Sequence, residues 1–504
     1  MVTRIPAQKK ASRHSSEAKS EVMQERMSRV DHAWLRMDSP TNLMMIVGVW
    51  IIKPGVAYKA VSERIEARFL QYPRFGQRVV QNLTGASWVT DAHFNIAHHV
   101  VTETLPKMPK AHEQQALQDR LAELAVTPLD PRYPLWQFHL VEHYQGGSAL
   151  MVRMHHCIAD GIALIAVTQS MVDGGAAPPQ PVKAPDDALE GVDEWITHHL
   201  IKPLTGAAVW ALDEVGQQTA NALGLLSEPR KSIEVAVEKG LVGSRDLAKL
   251  AYQVLRDGAA LALMPDDSPT RLKGTPGAVK RVAWCQPMPL EEVKAVGRAL
   301  NCSVNDVLLS CVAGAIGAYL RSFGDVLGGV EIRAMVPVNL RPIEEAYQLG
   351  NRFGLAPVVL PVGIENPLER VYEVRRRMAA LKGSTQPLLT YGLLALAGLL
   401  SPSAQDAMLS LFSKKTTAVM TNVPGPREKL KFCGATLEQN LAWVPQSGTV
   451  GLGVSVLSYG GGVQFGIISD AALCPEPQKI IDRFEPEFAK LTLLTLMLPW
   501  DDAA

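Results

Sequence analysis

Ala149-Leu150-Met151-Val152-Arg153-Met154-His155-His156-Cys157-Ile158-Ala159-Asp160-Gly161 starts as an apolar strand and ends at the mouth of a helix. Neighbours on a strand point to opposite faces. His156 therefore falls with Leu150, Val152 and Met154, and His155 with Met151 and Arg153. If the strand persists, one imidazole of the pair faces any given cleft, and one aligned imidazole is enough to take a proton from a hydroxyl. Asp160 stands just before a helical stretch over 161–172, where it can cap the helix or pair with a buried arginine and so fix the turn that presents the base. Gly161 permits a tight turn or close packing. Cys157 would point away from His156 on a strand, which makes it a poor nucleophile, since a reactive thiol needs an activating neighbour in reach.

Working outward, residues 136–142 alternate Trp136, Phe138 and Leu140 with Gln137, His139 and Val141, and Gln145-Gly146-Gly147-Ser148 reads as the turn joining them to the histidine strand. Residues 43–52 are a dense apolar run, expected as a buried strand. Residues 61–72, ending at Pro73, and 113–125 have helical spacing. Residues 173–190 are rich in Gly, Pro, Ala and Asp and read as a linker, 191–263 as mostly helical, and 268–277 as a second break. Beyond 279 the pattern returns to mixed strands and helices. Strands are expected at 331–338, 355–362, 416–423, 450–457 and 463–469, the last two joined through Gly460-Gly461-Gly462. The chain thus reads as a basic, disordered tail (1–30), an α/β domain (31–173), a linker with a helical crossover (174–278) and a second α/β domain (279–504).

Apolar residues make up 47% and charged residues 20%, proportions of a globular chain. Fifty basic residues balance fifty acidic ones, so no global field draws nucleic acid. Six cysteines without a CxxC pair argue against zinc and redox sites and for reduced thiols. The tail carries Lys9, Lys10, Arg13 and Lys19 but no apolar signal core; an electrostatic membrane contact is its alternative reading. No run reaches the roughly 20 apolar residues that span a bilayer. The nearest is 388–400, either a buried core helix or a helix lying in the membrane interface. All twelve histidines lie at or before position 199, in part as the pairs His98-His99, His155-His156 and His198-His199, so the C-terminal half supplies no imidazole.

The spelling HHCIADG resembles the HHxxxDG motif of the coenzyme A-dependent acyltransferases related to chloramphenicol acetyltransferase and to peptide-synthetase condensation domains. Further segments are similar to one branch: Pro134-Leu135-Trp136, Ser303-Val304-Asn305-Asp306-Val307, Leu349-Gly350-Asn351 and Thr421-Asn422-Val423-Pro424-Gly425-Pro426, with Thr421 where serine is more usual. Together, from about Asp31 to Ile468, they resemble the bacterial wax ester synthase/acyl-CoA:diacylglycerol acyltransferase family. The resemblance implies two chloramphenicol-acetyltransferase-like α/β domains joined by a helical crossover, with an active-site tunnel between them. It implies a long-chain acyl-CoA donor, diacylglycerol or a long-chain alcohol as acceptor, and a cytoplasmic enzyme held peripherally at the inner face of the plasma membrane or at lipid droplets. In the implied mechanism His156 deprotonates the acceptor hydroxyl, which attacks the thioester directly.

The residues are consistent with direct transfer, since no G-x-S-x-G elbow offers a nucleophilic serine. A developing oxyanion needs a donor. Asn305 is the candidate, in the first turn of a helix opened by a Ser303–Asp306 capping box; the alternative is that it only caps that helix. Cys311, Gly314, Ala315 and Ala318 give the same helix a small-residue face suited to packing beside a tunnel. Pro134 to Trp136 read as core and turn, and Asn351 as a loop holder. Arg271, Lys273, Lys280 and Arg281 either meet coenzyme A phosphates or form a solvated basic loop. His112-Glu113 lacks the second histidine of HExxH, and there is no Walker A sequence. No cofactor or metal is expected, acyl-CoA being a substrate. Three rivals remain: an amide-forming condensation domain, an HxxxxD reading that makes His155 the base, and a lipid-binding protein of the same fold.

Overall fold

The computed structural model describes residues 24–82, 85–176, 264–341, 347–381, 384, 386–397, 405, 409–410 and 412–497. The helical crossover expected over 191–263, most of the linker before it, the His198-His199 pair and the tail through residue 23 lie outside these. The first half runs β1 (Gln24–Arg26), α1 (Arg29–Arg36), β2 (Met45–Lys53), α2 (Tyr58–Phe69), β3 (Gln77–Asn82), β4 (Gly85–Thr90), β5 (Val100–Glu103), α3 (Glu113–Ala125), β6 (Trp136–Tyr144), β7 (Gly147–His155) and α4 (Gly161–Met171). The second runs β8 (Lys280–Trp284), β9 (Met288–Pro289), α5 (Leu290–Ala299), α6 (Val304–Ser322), β10 (Ile332–Asn339), β11 (Phe353–Leu360), α7 (Pro367–Leu381) and α8 (Gln386–Ala397). It continues with β12 (Ala418–Pro424), β13 (Lys431–Phe432), β14 (Ala435–Trp443), β15 (Leu452–Tyr459), β16 (Gly462–Asp470) and α9 (Gln478–Leu496). Residues 24–30, assigned to the tail on composition, form β1 against β4 and the start of α1.

Among the described residues these strands form three sheets: β1-β4-β3; β13-β14-β2-β7-β6-β5; and β11-β10-β12-β15-β16-β8, with β9 paired to β16. The run at 43–52 is apolar without alternation because β2 is central and covered on both faces. Trp50 and Ile52 belong to one core, Val47, Val49 and Ile51 to the other. Helix α3 closes the second of these with Leu117 and Leu121. The β6–β7 turn needs positive φ at Gln145 (48°) and Gly146 (76°), as two-residue hairpin turns do.

Among the strands that the sequence pattern did not reveal (β1, β3, β4, β5, β8, β9, β13 and β14), β14 matters most for the site. β14 carries Glu438, Gln439 and Asn440 and has an irregularity between Leu437 and Gln439, so its alternation is broken. It comes from the C-terminal half yet pairs antiparallel with β2, from Thr436 opposite Lys53 to Trp443 opposite Val47. Gly48 allows this approach: a Cβ there would meet the Leu441 carbonyl oxygen at 2.8 Å.

Helix α6, rather than 388–400, comes nearest to a membrane span among the described residues. Its 19 residues are long and apolar enough, by length and composition, to cross a membrane, yet the helix is mostly buried in the core of the second half. A helix apolar all round is explained by such burial. Its small-residue face also packs against protein: a Cβ at Gly314 would strike Arg370 and Glu487, and one at Gly317 the Val362 carbonyl oxygen.

Candidate active site

The two motif histidines leave the end of β7 into different surroundings. Both are buried, at 4% and 3% exposure. His155 has both ring nitrogens engaged: Nδ1 accepts the Cys157 N–H at 3.1 Å, and Nε2 lies 3.3 Å from Asp38 Oδ1. With Nδ1 accepting that N–H, the ring is neutral and carries its proton on Nε2, toward Asp38.

His156 is held at four points. Its N–H donates to the Met44 carbonyl at 2.7 Å, and its carbonyl accepts Asn351 Nδ2 at 2.8 Å. Its Nδ1 lies 2.9 Å from Asn351 Oδ1, and its ring stacks on Trp34 with centroids 4.3 Å apart and planes 15° apart. Phe353 flanks the stack at 5.4 Å. Nδ1 is the ring nitrogen that the described residues engage, and they make no hydrogen bond to Nε2. Burial pushes the imidazole down to about 4, against the opposing pull of a hydrogen bond to its own backbone, of Asp160 and of Asn351, so the ring is neutral near pH 7. Asn351 in turn reaches Asp31 on α1. Its backbone N–H and its Nδ2 both donate to Asp31 Oδ1, at 3.0 and 2.8 Å. Burial raises the Asp31 carboxyl against the lowering effects of Arg74, Asn351 and Ser28.

Asp160 both caps and pairs. Oδ1 accepts the Ala163 N–H at 3.0 Å at the start of α4; Oδ2 accepts the Arg352 N–H at 2.9 Å and faces Arg341 Nη2 at 3.3 Å, deep in the interior. The backbone beside it forms a bridge between Ala159 and Gly350, so the motif turn is tied to residues 350–352 of the other half. Gly350 has φ +103°, a region that favours glycine. Gly161 contradicts its expectation: its φ is ordinary and a Cβ there would meet nothing within 4 Å, so neither a tight turn nor close packing requires it.

Asn305 sits exposed in the first turn of α6, behind a complete Ser303–Asp306 capping box. Its Oδ1 accepts Asn422 Nδ2 at 2.8 Å, joining two of the motif segments. The side chains that touch His156 are instead Asn351, Trp34 and Phe353. Asp31, Trp34 and Asn351 were missed as site residues. The available signal was the three-residue spacing of Asp31 and Trp34, which places them on one face of α1.

The basic residues proposed for coenzyme A are engaged elsewhere. Arg271 pairs with Asp325, and Lys273 donates to the carbonyls of Ser413, Lys414 and Thr416. Lys280 is buried on Asn42 and Asp470, and Arg281 lies 3.9 Å from Asp119. Trp136 is fully buried, with its indole N–H on the Phe75 carbonyl. Tyr391 and Leu394 of α8, within the apolar run at 388–400, pack into the core of the first half. A cavity of about 690 Å³ lies apart from the histidines, lined in part by Arg333, Arg376, Arg377 and Gln386. Among the described residues no cluster of three or more His, Cys, Asp or Glu could hold a metal.

An imidazole with one open nitrogen thus sits where two α/β halves meet, an arrangement able to take a proton from a hydroxyl. Comparison with known proteins identifies the family. The wax ester synthase/diacylglycerol acyltransferase catalytic domain matches residues 27–308, and the C-terminal domain of the same family matches 349–492. The chain belongs to the wax ester synthase/diacylglycerol acyltransferase family. It is similar to a putative diacylglycerol O-acyltransferase of Mycobacterium bovis and a probable one of Mycobacterium tuberculosis. Each is 26% identical over 482 residues, covering 93% of this chain and 96% of the relative. A solved wax ester synthase/diacylglycerol acyltransferase from Marinobacter aquaeolei shares the fold, with TM-score 0.62 and 19% identity over 94% of this chain and 100% of that one. The first condensation domain of the calcium-dependent antibiotic synthetase shares it with TM-score 0.55 and 14% identity, covering 96% and 97%.

Proposed function

We propose that this acyltransferase moves a long-chain acyl group from acyl-CoA to the hydroxyl of diacylglycerol, of a long-chain alcohol, or of both, with His156 Nε2 as the general base. The observation that carries the assignment is the asymmetry of the histidine pair. Both ring nitrogens of His155 are occupied, which disfavours the HxxxxD reading, whereas Nε2 of His156 is open. Nε2 takes the acceptor's proton as its oxygen attacks the thioester carbonyl. The tetrahedral intermediate expels the coenzyme A thiolate, which takes the proton back from Nε2. No acyl-enzyme forms and no cofactor takes part. With Oδ1 of Asn305 held by Asn422, its Nδ2 is the group left to donate to the oxyanion, beside the free N–H groups at the start of α6.

Asp160 acts at a distance, holding the turn after His156 against Arg341 and the backbone of Arg352. The substrates are lipids, so the enzyme works peripherally on the cytoplasmic face of the membrane or on a lipid droplet. Leu493, Leu496 and Met497, exposed at the end of α9, support such a contact. The test is release of coenzyme A thiol from palmitoyl-CoA with dioleoylglycerol and hexadecanol side by side. Acceptor-dependent release with at least one is expected; release with neither contradicts the proposal.

A further inference from the structure

We propose that Asp31 and Asn351 are positioning residues that together fix the tautomer of His156, placing its lone pair on Nε2. The inference rests on His156 being the base and says what makes it one. A neutral imidazole carries one proton on either nitrogen. Which nitrogen holds it is set by the partner of the other.

The Asn351 amide settles the matter by its own hydrogen bonds. Its Nδ2 donates one hydrogen to Asp31 Oδ1 and the other to the His156 carbonyl, each at 2.8 Å. A carboxylate and a carbonyl are acceptors only. Turning the amide over would set Oδ1 against two oxygens in a buried site, the arrangement with the highest cost. Oδ1 must therefore face His156 Nδ1, at 2.9 Å, and Oδ1 cannot donate. The proton sits on Nδ1, and Nε2 keeps the lone pair.

Asp31 is what makes the amide one-sided. Its Oδ1 accepts two N–H groups of Asn351, and Arg74 Nη1 lies 3.7 Å from Oδ2. One turn further along α1, Trp34 stacks on the same ring, so a single eight-residue helix sets both the plane and the tautomer. Asn351 is also neutral. A carboxylate in its place would stabilise the imidazolium, whereas an amide orients the ring and leaves it uncharged. Because Asn351 comes from the second half and Asp31 from the first, the base acquires its working form only when the halves are assembled.

The test uses full-length protein with ¹⁵N-labelled histidine, and long-range ¹H–¹⁵N correlation spectra that distinguish the two tautomers. The His156 signals are identified by their loss in His156→Gln. Wild type is expected to carry the His156 proton on Nδ1. Asp31→Asn frees the amide of Asn351 to turn, and a population protonated at Nε2 is expected to appear. In Asn351→Ala, kcat is expected to fall about 10- to 100-fold, the scale of a misplaced catalytic group, with KM for palmitoyl-CoA little changed. Unchanged signals from the other histidines show that the fold is kept; should a variant not fold, the wild-type spectrum alone decides. A wild-type His156 protonated on Nε2, or a tautomer unmoved in both variants, overturns the proposal. Full acyl transfer by His156→Gln would instead sink the assignment of the base, and the tautomer result would stand by itself.

Discussion

His156 is an imidazole kept out of water and without charge, which has a measurable cost in acid. Its proton affinity in the folded chain is pushed down to about 4, chiefly by burial; a hydrogen bond to its own backbone, Asp160 and Asn351 pull it up and His155 pushes it further down. His139, under the same sheet and between Glu103 and Arg153, is also lowered to about 4, again mainly by burial. The unfolded chain binds these protons near the ordinary value of about 6.5. Between about 6.5 and 4 the unfolded state therefore holds more protons than the folded one, and stability rises with pH through that window. It is complete above about 6.5 and is lost as pH falls toward 4, at a rate of up to about 1.4 kcal/mol per pH unit for each such histidine. Urea titrations from pH 7 to 4.5 check this. The slope is expected to be shallower in His156→Gln than in wild type, and equal slopes would contradict it. At this scale the motif was informative. His155, His156 and Asp160 announced themselves because they lie within one turn of chain. Asn351 did not, because it is 195 positions from His156 and an asparagine beside a glycine reads as a turn residue.

The elements that surround His156 are packed against backbone rather than against pliable side chains. Helix α8 lies against β11 and against α1, which carries Asp31 and Trp34. Its approach depends on Gly354, where a Cβ would fall 1.7 Å from the Pro387 carbonyl oxygen. Gly354→Ala should therefore displace α8, loosen the Trp34–His156–Phe353 stack, and cost about 1–3 kcal/mol, as overpacking does. Urea denaturation with a parallel activity assay checks it; wild-type values in both would show that α8 does not brace the site. Periodicity identified the long central strands β2, β6, β7, β10, β11, β12, β15 and β16 and helices α2, α3, α4 and α6, and passed over the short edge strands and helices α1, α5, α7 and α9. β2 reads as a solid apolar run because both its faces are covered, and β15 and β16 betray their hairpin through Gly460 and Gly461, both at positive φ. It failed where tertiary context overrides pattern. β14 keeps polar residues along an irregular ladder, so its pairing with β2 left no pattern to read.

In the whole molecule the halves are not simply side by side. β14 leaves the second half to extend the sheet of the first, the Ala159–Gly350 bridge joins the two backbones beside the histidines, and Lys280 reaches Asn42 between Asp470 and the loop before β2. The site is made at that seam, from β7 and α1 on one side and residues 350–353 on the other. Two α/β halves were legible in the sequence through the alternation of element types, but the exchange between them was not. Strand partners separated by hundreds of residues leave no local signal in a single chain. The central claim is that His156, and not its neighbour, takes the acceptor's proton. Coenzyme A release from palmitoyl-CoA in the presence of acceptor, measured on His156→Ala and His155→Gln, tests it most directly. The account predicts a fall of about 10²- to 10⁴-fold in kcat for His156→Ala, the usual worth of a general base, and a folded His155→Gln within about tenfold of wild type. Wild-type turnover in His156→Ala, or loss confined to His155→Gln, would contradict it.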